Sequence, residues 1–350
     1  MTVRLRDVAA RAGVSPRSVS NVINGFHYVS PGMRAKVQAA IDELDYQPNL
    51  LARSLRKGHT GTVGLLLPQI SVPYFAELAH HLVEQASELG LTVLVDETTG
   101  ERKRELHLLE VMSRSRYVDG ILLSALGLSS AELTQLQPRI PVVLLGERAT
   151  GSTLDHVGIN NIAAARDATQ HLIETGRTRI AAIVERPHPC APTSRLRLKG
   201  YQAALSAAGL DADPQLVARV RLQPRRQDGA TAMGRLLSRP RPPDAVFCFN
   251  DLVAIGALAE LHHQGVQVPE DISVVSVDDI EECRFTIPTL SSIAPDKTHL
   301  ARSALQLLTS RVEGADHPPR DIRIPYHLVT RASTDARPDV TAVVTSNAGA

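Results

Sequence analysis

The chain has 350 residues, of which 43% are hydrophobic and 21% charged, and its formal net charge is +1 at pH 7. That length suits two or three domains, and the composition excludes disorder of the whole chain. Cys190, Cys248 and Cys283 lie far apart, which argues against a disulfide framework or zinc knuckle and fits a reducing cytoplasm.

Arg4, Arg6 and Asp7 interrupt any apolar signal region. No apolar stretch nears the roughly 18 residues of a membrane span. Aromatic residues make up 3% and Trp is absent, which weakens any case for base-stacking platforms. The small net charge hides an asymmetry. Residues 1–60 hold nine Lys or Arg against four Asp or Glu. A basic head on a mildly acidic body suggests that only the head meets a polyanion.

Leu5 to Asn24 reads as helix, tight turn, helix. Val8, Ala9 and Ala12 share one side of the first helix. Gly13 follows, where a helix end favours a residue tolerant of positive φ. Ser15 offers an N-cap oxygen and Pro16 suits the first helical position. In the second helix Val19, Val22 and Ile23 point inward. Arg17, Ser20, Asn21 and Asn24 point outward, as a major-groove reader requires. An ordinary helical hairpin with a solvated face is the alternative. Ser30 and Pro31 open a third helix with a Val37, Ile41, Leu44 stripe, which Pro48 stops. Asn49–Lys57 is a short candidate helix, marginal on its own. Gly58–Gly61 reads as a linker.

From Thr62 short apolar runs alternate with amphipathic stretches. The predicted strands are Val63–Leu67, Thr92–Val95, Gly120–Leu123, Val142–Leu145, Ile180–Val184, Ala245–Phe249 and Ile272–Val277. The predicted helices are Tyr74–Leu89, Arg102–Arg116, Ile162–Thr175, Ser194–Ala208, Gly229–Leu237, Leu252–Gln264 and Lys297–Val312. This alternation predicts an α/β class with parallel sheets covered on both faces. About 270 residues suffice for two doubly wound lobes, with ligands beyond the carboxyl ends of the strands. The polar tail, 331–350, is expected to be disordered.

Several separate motifs then occur in a fixed order. They are the head, YQPNLLARSLRKG (Tyr46–Gly58), SRLRLKGY (Ser194–Tyr201), DAVFCFNDLVAIG (Asp244–Gly256) and VPEDISVVSVDD (Val268–Asp279). On these the chain resembles the LacI/GalR family of bacterial transcription regulators over residues 4–333. The resemblance implies a helix-turn-helix DNA-binding domain at 1–47 and a hinge helix with linker at 48–60. A two-lobed periplasmic-binding-protein-like core follows at 61–330, which binds effector and dimerises. It further implies a cytoplasmic homodimeric regulator, a repressor, bound to approximately palindromic double-stranded operator DNA and controlled by a small sugar-like effector. No cofactor, metal or membrane partner is expected. Without a leucine heptad in the tail, a dimer is expected and not a tetramer.

The same resemblance assigns residues. Pro16, Arg17 and Asn21 take base-reading positions, although Arg17 can instead meet phosphate and Asn21 can serve a structural hydrogen bond. Leu55 is the hinge wedge for the minor groove. Ala52 permits close helix approach, and Arg53, Arg56 and Lys57 meet phosphates. Arg197 and Asp278 take matched cleft positions, where paired N–H donors and a carboxylate acceptor can clamp a polyol. Asn250 adds an amide, and Tyr74, Phe75 and Phe249 add apolar faces. Gln69 and Arg195 are weaker effector candidates.

Four departures stand out. Arg4 replaces the usual Thr or Ser cap, and Asn21 stands where many members carry Arg. Ser276-Val277 replaces a Gly-aromatic pair before the paired aspartates. Gly146 replaces an acidic residue at the end of the fourth core strand. The last two bear on the effector class. A solute-binding protein of a transport system shares such a core but has no use for the head. An enzyme on this core needs a catalytic constellation, and no nucleophile elbow, P-loop or GxGxxG is present. The adjacent pairs His80-His81 and His262-His263 point apart on helices and make no metal site alone.

Overall fold

The computed structural model describes residues 3–23, 26–46, 59–115, 117–146, 153–188, 192–335 and 344–345. Asn24, Cys190 and the hinge candidates Ala52, Arg53, Leu55, Arg56 and Lys57 lie outside the described residues. The chain divides into two compact units, Met1–Gly61 and Thr62–Ala350.

The first unit holds three helices, α1 (Leu5–Ala12), α2 (Pro16–Ile23) and α3 (Pro31–Glu43). Their shared core is Val8, Ala9, Val19, Val22, Val37, Ala40 and Tyr46, all buried. Gly13 takes φ 66° and ends α1. The Val14 amide then donates to Ala9 O at 3.0 Å, which closes the left-handed helix end. Ser15 Oγ accepts from Ser18 N at 3.1 Å and Ser30 Oγ from Met33 N at 3.3 Å, so both serines are caps. Arg4 has no oxygen to offer the first turn. The Asp7 carboxylate instead accepts from Arg4 N at 2.8 Å, which keeps half of a capping box.

The second unit is a two-lobed α/β core. Its first sheet contains β1 (Thr62–Leu67), β2 (Thr92–Glu97), β3 (Gly120–Leu123), β4 (Val142–Leu145), β5 (Asp155–Gly158) and β11 (Asp321–Arg323). The order is β11-β5-β4-β3-β1-β2, parallel throughout. The second sheet contains β6 (Ile180–Glu185), β7 (Val217–Val220), β8 (Ala245–Cys248), β9 (Ser273–Val277), β10 (Ser291–Pro295), β12 (Tyr326–Val329) and β13 (Val344–Thr345). The order is β13-β12-β10-β9-β8-β6-β7. Only the β10–β12 and β12–β13 pairs are antiparallel.

Helices cover both sheets: α4 (Pro73–Glu88), α5 (Arg102–Ser115), α6 (Ser130–Gln135), α7 (Asn161–Glu174), α8 (Pro192–Ala207), α9 (Arg226–Leu237), α10 (Asp251–His263) and α11 (Lys297–Val312). Wholly apolar strands such as β3 and β4 are buried at every position, as sheets covered on both faces require. The chain passes between lobes three times. It leaves the first sheet after β5, returns after β10 so that α11 packs on α4 and β3–β5, and leaves again after β11. Among the described residues no helix is long and apolar enough to cross a membrane.

The sequence pattern did not show β5, β7, β10, β11, β12 or β13, and in three of them polar side chains are paired within the fold. In β5, Asp155 receives Arg311 Nε at 2.7 Å and Arg320 N at 2.7 Å, and His156 Nδ1 lies 2.8 Å from Asp321 Oδ1. In β10, Ser291 Oγ and Thr334 Oγ1 are 2.7 Å apart. In β12, the Tyr326 hydroxyl donates to Asp167 Oδ2 at 2.8 Å. The tail expectation needs correction for 331–335. Ser333 Oγ donates to Val274 O at 2.6 Å, and Val274 N donates to Ser333 O at 2.9 Å. Arg331 pairs with Asp279 at 2.7 Å. These backbone and ionic ties order the segment where composition alone suggested solvation. Residues 336–343 and 346–350 lie outside the described set.

Candidate functional site

In the head the α2 helix sorts its residues as the pattern predicts. Val19 and Val22 are buried, while Pro16 and Arg17 are exposed and Asn21 is half-buried. Arg17 therefore stands free of the core on a helix fixed by two neighbours, available to a base edge or a phosphate.

In the core a cavity of about 80 Å³ opens between the lobes, beyond the carboxyl ends of the strands. Its N-terminal-lobe wall includes Tyr74 and Phe75 from the start of α4, Ser124 after β3 and Gly146 after β4. Asn161 lies where the chain crosses between lobes. Thr193 and Arg197 come from α8, and Asp278 follows β9.

Arg197 is 7% exposed, so every N–H it carries needs a partner. Its Nε donates to Asn161 Oδ1 at 2.9 Å, Nη1 donates to Phe249 O, and Nη2 lies 3.6 Å from Asp278 Oδ1. The guanidinium is thus a fixed fork whose position is set from three elements. Burial pushes the Asp278 carboxyl up to about 7, and the like charge of Asp251 adds to this. The cations Arg197 and Lys297 oppose the rise. Asp278 can therefore accept from a hydroxyl when charged and donate when neutral near pH 7.

Tyr74 and Phe75 meet edge to face with ring centroids 5.3 Å apart. Lys297, the first residue of α11, sits with Nζ 5.9 Å from the Tyr74 ring centroid. Its ammonium also donates to Glu77 and, at 3.0 Å, to Asp279 O. The two rings thus stand on the opposite side of the cavity from Arg197 and Asp278.

Four of the predicted effector residues line this cavity: Tyr74, Phe75, Arg197 and Asp278. The other four do not. Asn250 Oδ1 accepts from Val253 N at 3.0 Å and caps α10. Phe249 is buried in the main core and contributes its carbonyl to Arg197. Gln69 follows β1, where its carbonyl accepts from Val72 N at 3.2 Å. Arg195 is exposed on α8. Asn161, Ser124 and Thr193 were missed. An Asn160-Asn161 pair before a helix reads only as a cap, and Asn160 does cap α7 by accepting from Ala163 N at 3.2 Å. Among the described residues no group of three His, Cys, Asp or Glu side chains can hold a metal ion.

A helix-turn-helix head on a periplasmic-binding-type core is the plan of a ligand-responsive transcription regulator. The pattern of bacterial regulatory proteins of the lacI family matches residues 4–49, and that of the periplasmic binding protein-like domain matches 169–334. The ribose operon repressor of Escherichia coli (strain K12) is 38% identical over 310 residues, 88% of this chain and 92% of that protein. The transcriptional repressor PurR of Aliivibrio fischeri (strain MJ11) is 32% identical over 333 residues, covering 94% and 97%.

Among solved structures, the lac repressor dimer bound to operator and an anti-inducer superposes with TM-score 0.84 at 25% identity, covering 95% and 99%. A complex of the regulator CelR with cellobiose gives TM-score 0.70 at 33% identity, covering 95% and 99%. The chain belongs to the LacI family of bacterial transcription regulators, whose members are repressors with an effector-binding core and not enzymes.

Proposed function

We propose that this protein is a cytoplasmic, homodimeric repressor that releases or grips an approximately palindromic operator as a monosaccharide-sized sugar occupies the interlobe cavity. The observation that carries the reading is the pair of buried Arg197 and half-buried Asp278 facing Tyr74 and Phe75. Paired donors and a carboxylate suit vicinal hydroxyls, and the rings suit the apolar face of a sugar. The cavity of about 80 Å³ has room for about six waters, so two sugar rings fit it worse than one. A pentose is the first candidate, because the relative with 38% identity is a ribose operon repressor.

Pro16, Arg17 and Asn21 read bases in this scheme. Arg17 takes guanine O6 and N7 and Asn21 an adenine edge. Leu55 wedges the minor groove at the operator centre, with Ala52 at the close approach of two hinge helices and Arg53, Arg56 and Lys57 on phosphates. The effector acts only through its differential affinity for the two arrangements of the lobes.

The test is a gel shift with genomic fragments, paired with a thermal-shift panel of D-ribose, other pentoses, hexoses, sugar phosphates and nucleobases. Specific retardation at low nanomolar protein and a melting rise with a monosaccharide are expected. No protected site, or a rise with nucleobases alone, refutes the reading. Leu55→Ala should lose operator affinity and keep the melting rise. Intact operator affinity in that variant refutes the hinge assignment.

A further inference from the structure

We propose that Asp251 is the positioning residue of the effector cavity, its buried carboxylate clamping from behind the turn that presents Asp278. The inference rests on the cavity reading given above. It begins with the backbone. Asp278 has φ 124° and Asp279 φ 46°, two successive residues in a region that L side chains rarely adopt. Such a turn persists only where its surroundings hold it.

The holding group is visible. Asp251 opens α10 and is 1% exposed. Its Oδ1 accepts from Ser276 Oγ at 2.5 Å and Ser292 Oγ at 2.7 Å, and its Oδ2 accepts from Ile280 N at 2.9 Å. Ser292 Oγ in turn accepts from Asp279 N at 3.1 Å, and Asp278 N donates to Ile293 O at 2.9 Å. One carboxylate thus ties residues 276, 280 and 292 together and leaves the strained pair no slack. Burial raises the Asp251 pKa, and the hydrogen bonds from Ser276, Ser292 and Ile280 oppose that rise. Ser276 stands where the resemblance leads one to expect glycine.

The clamp reaches the site through Asp278, whose Oδ1 lies 3.6 Å from Arg197 Nη2. The charges facing Asp278 are Arg197 from α8, Asp251 from α10 and Lys297 from α11. Asp279, next in the chain, is neutralised by Arg331 at 2.7 Å. Asp251 therefore both places the Asp278 carboxyl and, as a like charge, makes it harder to ionise.

The experiment uses the full chain, with amide hydrogen exchange read residue by residue and calorimetric titration with D-ribose. In Ser276→Ala, the milder lesion, and in the isosteric Asp251→Asn, the Asp279 and Ile280 amides should exchange at least tenfold faster. The β8 amides should keep wild-type protection. D-ribose affinity should fall tenfold or more. In Asp251→Asn the pH at which half the D-ribose affinity is lost should move down, a shift that loosened packing alone does not produce. Unchanged exchange at the two amides in folded Ser276→Ala overturns the clamp, as does faster exchange with undiminished D-ribose binding. If the wild type gives no heat with D-ribose, the pentose reading fails, and the exchange result still decides the clamp.

Discussion

Replacing Arg197 by Met keeps an unbranched stem and removes the guanidinium with its charge. The guanidinium has three partners: Asn161 Oδ1, the Phe249 carbonyl and Asp278. Breaking a buried ion pair by removing one member ordinarily costs about 3–5 kcal/mol, because the other charge is stranded. Here the stranded group titrates near 7 already. Loss of its largest favourable neighbour pushes it higher, so at pH 7 it takes up a proton and the stranded charge disappears. Asn161 lines a cavity that admits water, which softens its loss, whereas the Phe249 carbonyl lies off that cavity and loses this donor. The fold should therefore lose only about 1–3 kcal/mol at pH 7.

D-ribose binding should lose at least as much. A charged donor is gone, worth about 1.5–3 kcal/mol, and the carboxylate acceptor is neutralised with it. D-ribose affinity should drop by about a hundredfold or more. Urea denaturation at pH 7 and pH 9 supplies the sharper check. In the unfolded chain Asp278 is ionised across this range, while in the folded variant it holds its proton. The variant then loses stability more steeply than the wild type as pH rises, by up to about 1.4 kcal/mol per unit until its raised pKa is passed. A gap from wild type that stays flat between pH 7 and 9 refutes the coupling of Arg197 to Asp278.

Asp278→Asn should flatten the pH dependence of D-ribose binding, which in the wild type weakens as pH falls through about 7 and the carboxylate is lost; calorimetry across pH 5.5 to 8.5 checks this. Because the folded pKa lies above the unfolded one, Asp278 also makes the wild type less stable as pH rises from about 4 to 7, and Asp278→Asn should remove that slope from urea midpoints. Gly200→Ala would place a Cβ 2.2 Å from Ile162 O where α8 crosses α7; the helices must separate, and a stability loss of about 1–3 kcal/mol is expected by thermal melting. Arg17→Ala should weaken operator binding by about 1–3 kcal/mol in a gel shift with the melting point unchanged, since Arg17 is exposed.

Much of the fold was legible because the signals were local. The caps of α2 and α3, the Gly13 turn and the apolar runs of β1, β3 and β4 each depend on residues close in sequence. Strands β5 and β10 were not legible. Their burial of Asp155, His156, Ser291 and Ser292 is stabilised by partners up to 165 residues away. Short α6 carries too little apolar pattern to announce itself, although the Ser129–Glu132 capping box is there. The cleft divides the same way. Tyr74, Phe75, Arg197 and Asp278 are carried by motifs. Asn161 matters only because it meets an arginine 36 positions on. Asn250 shows the converse, since an amide with ligand-like chemistry is drawn to the helix start it precedes.

The threefold passage of the chain between the sheets also limits how this core can be cut or rebuilt. A fragment ending at Gly158 would lack β11, the edge partner of β5, and α11, which covers β3 to β5. Neither half is a contiguous segment that recombination could shuffle whole. Any swivel of one half against the other must be shared by three strands side by side, so a proteolytic nick in one leaves the remaining two as axle.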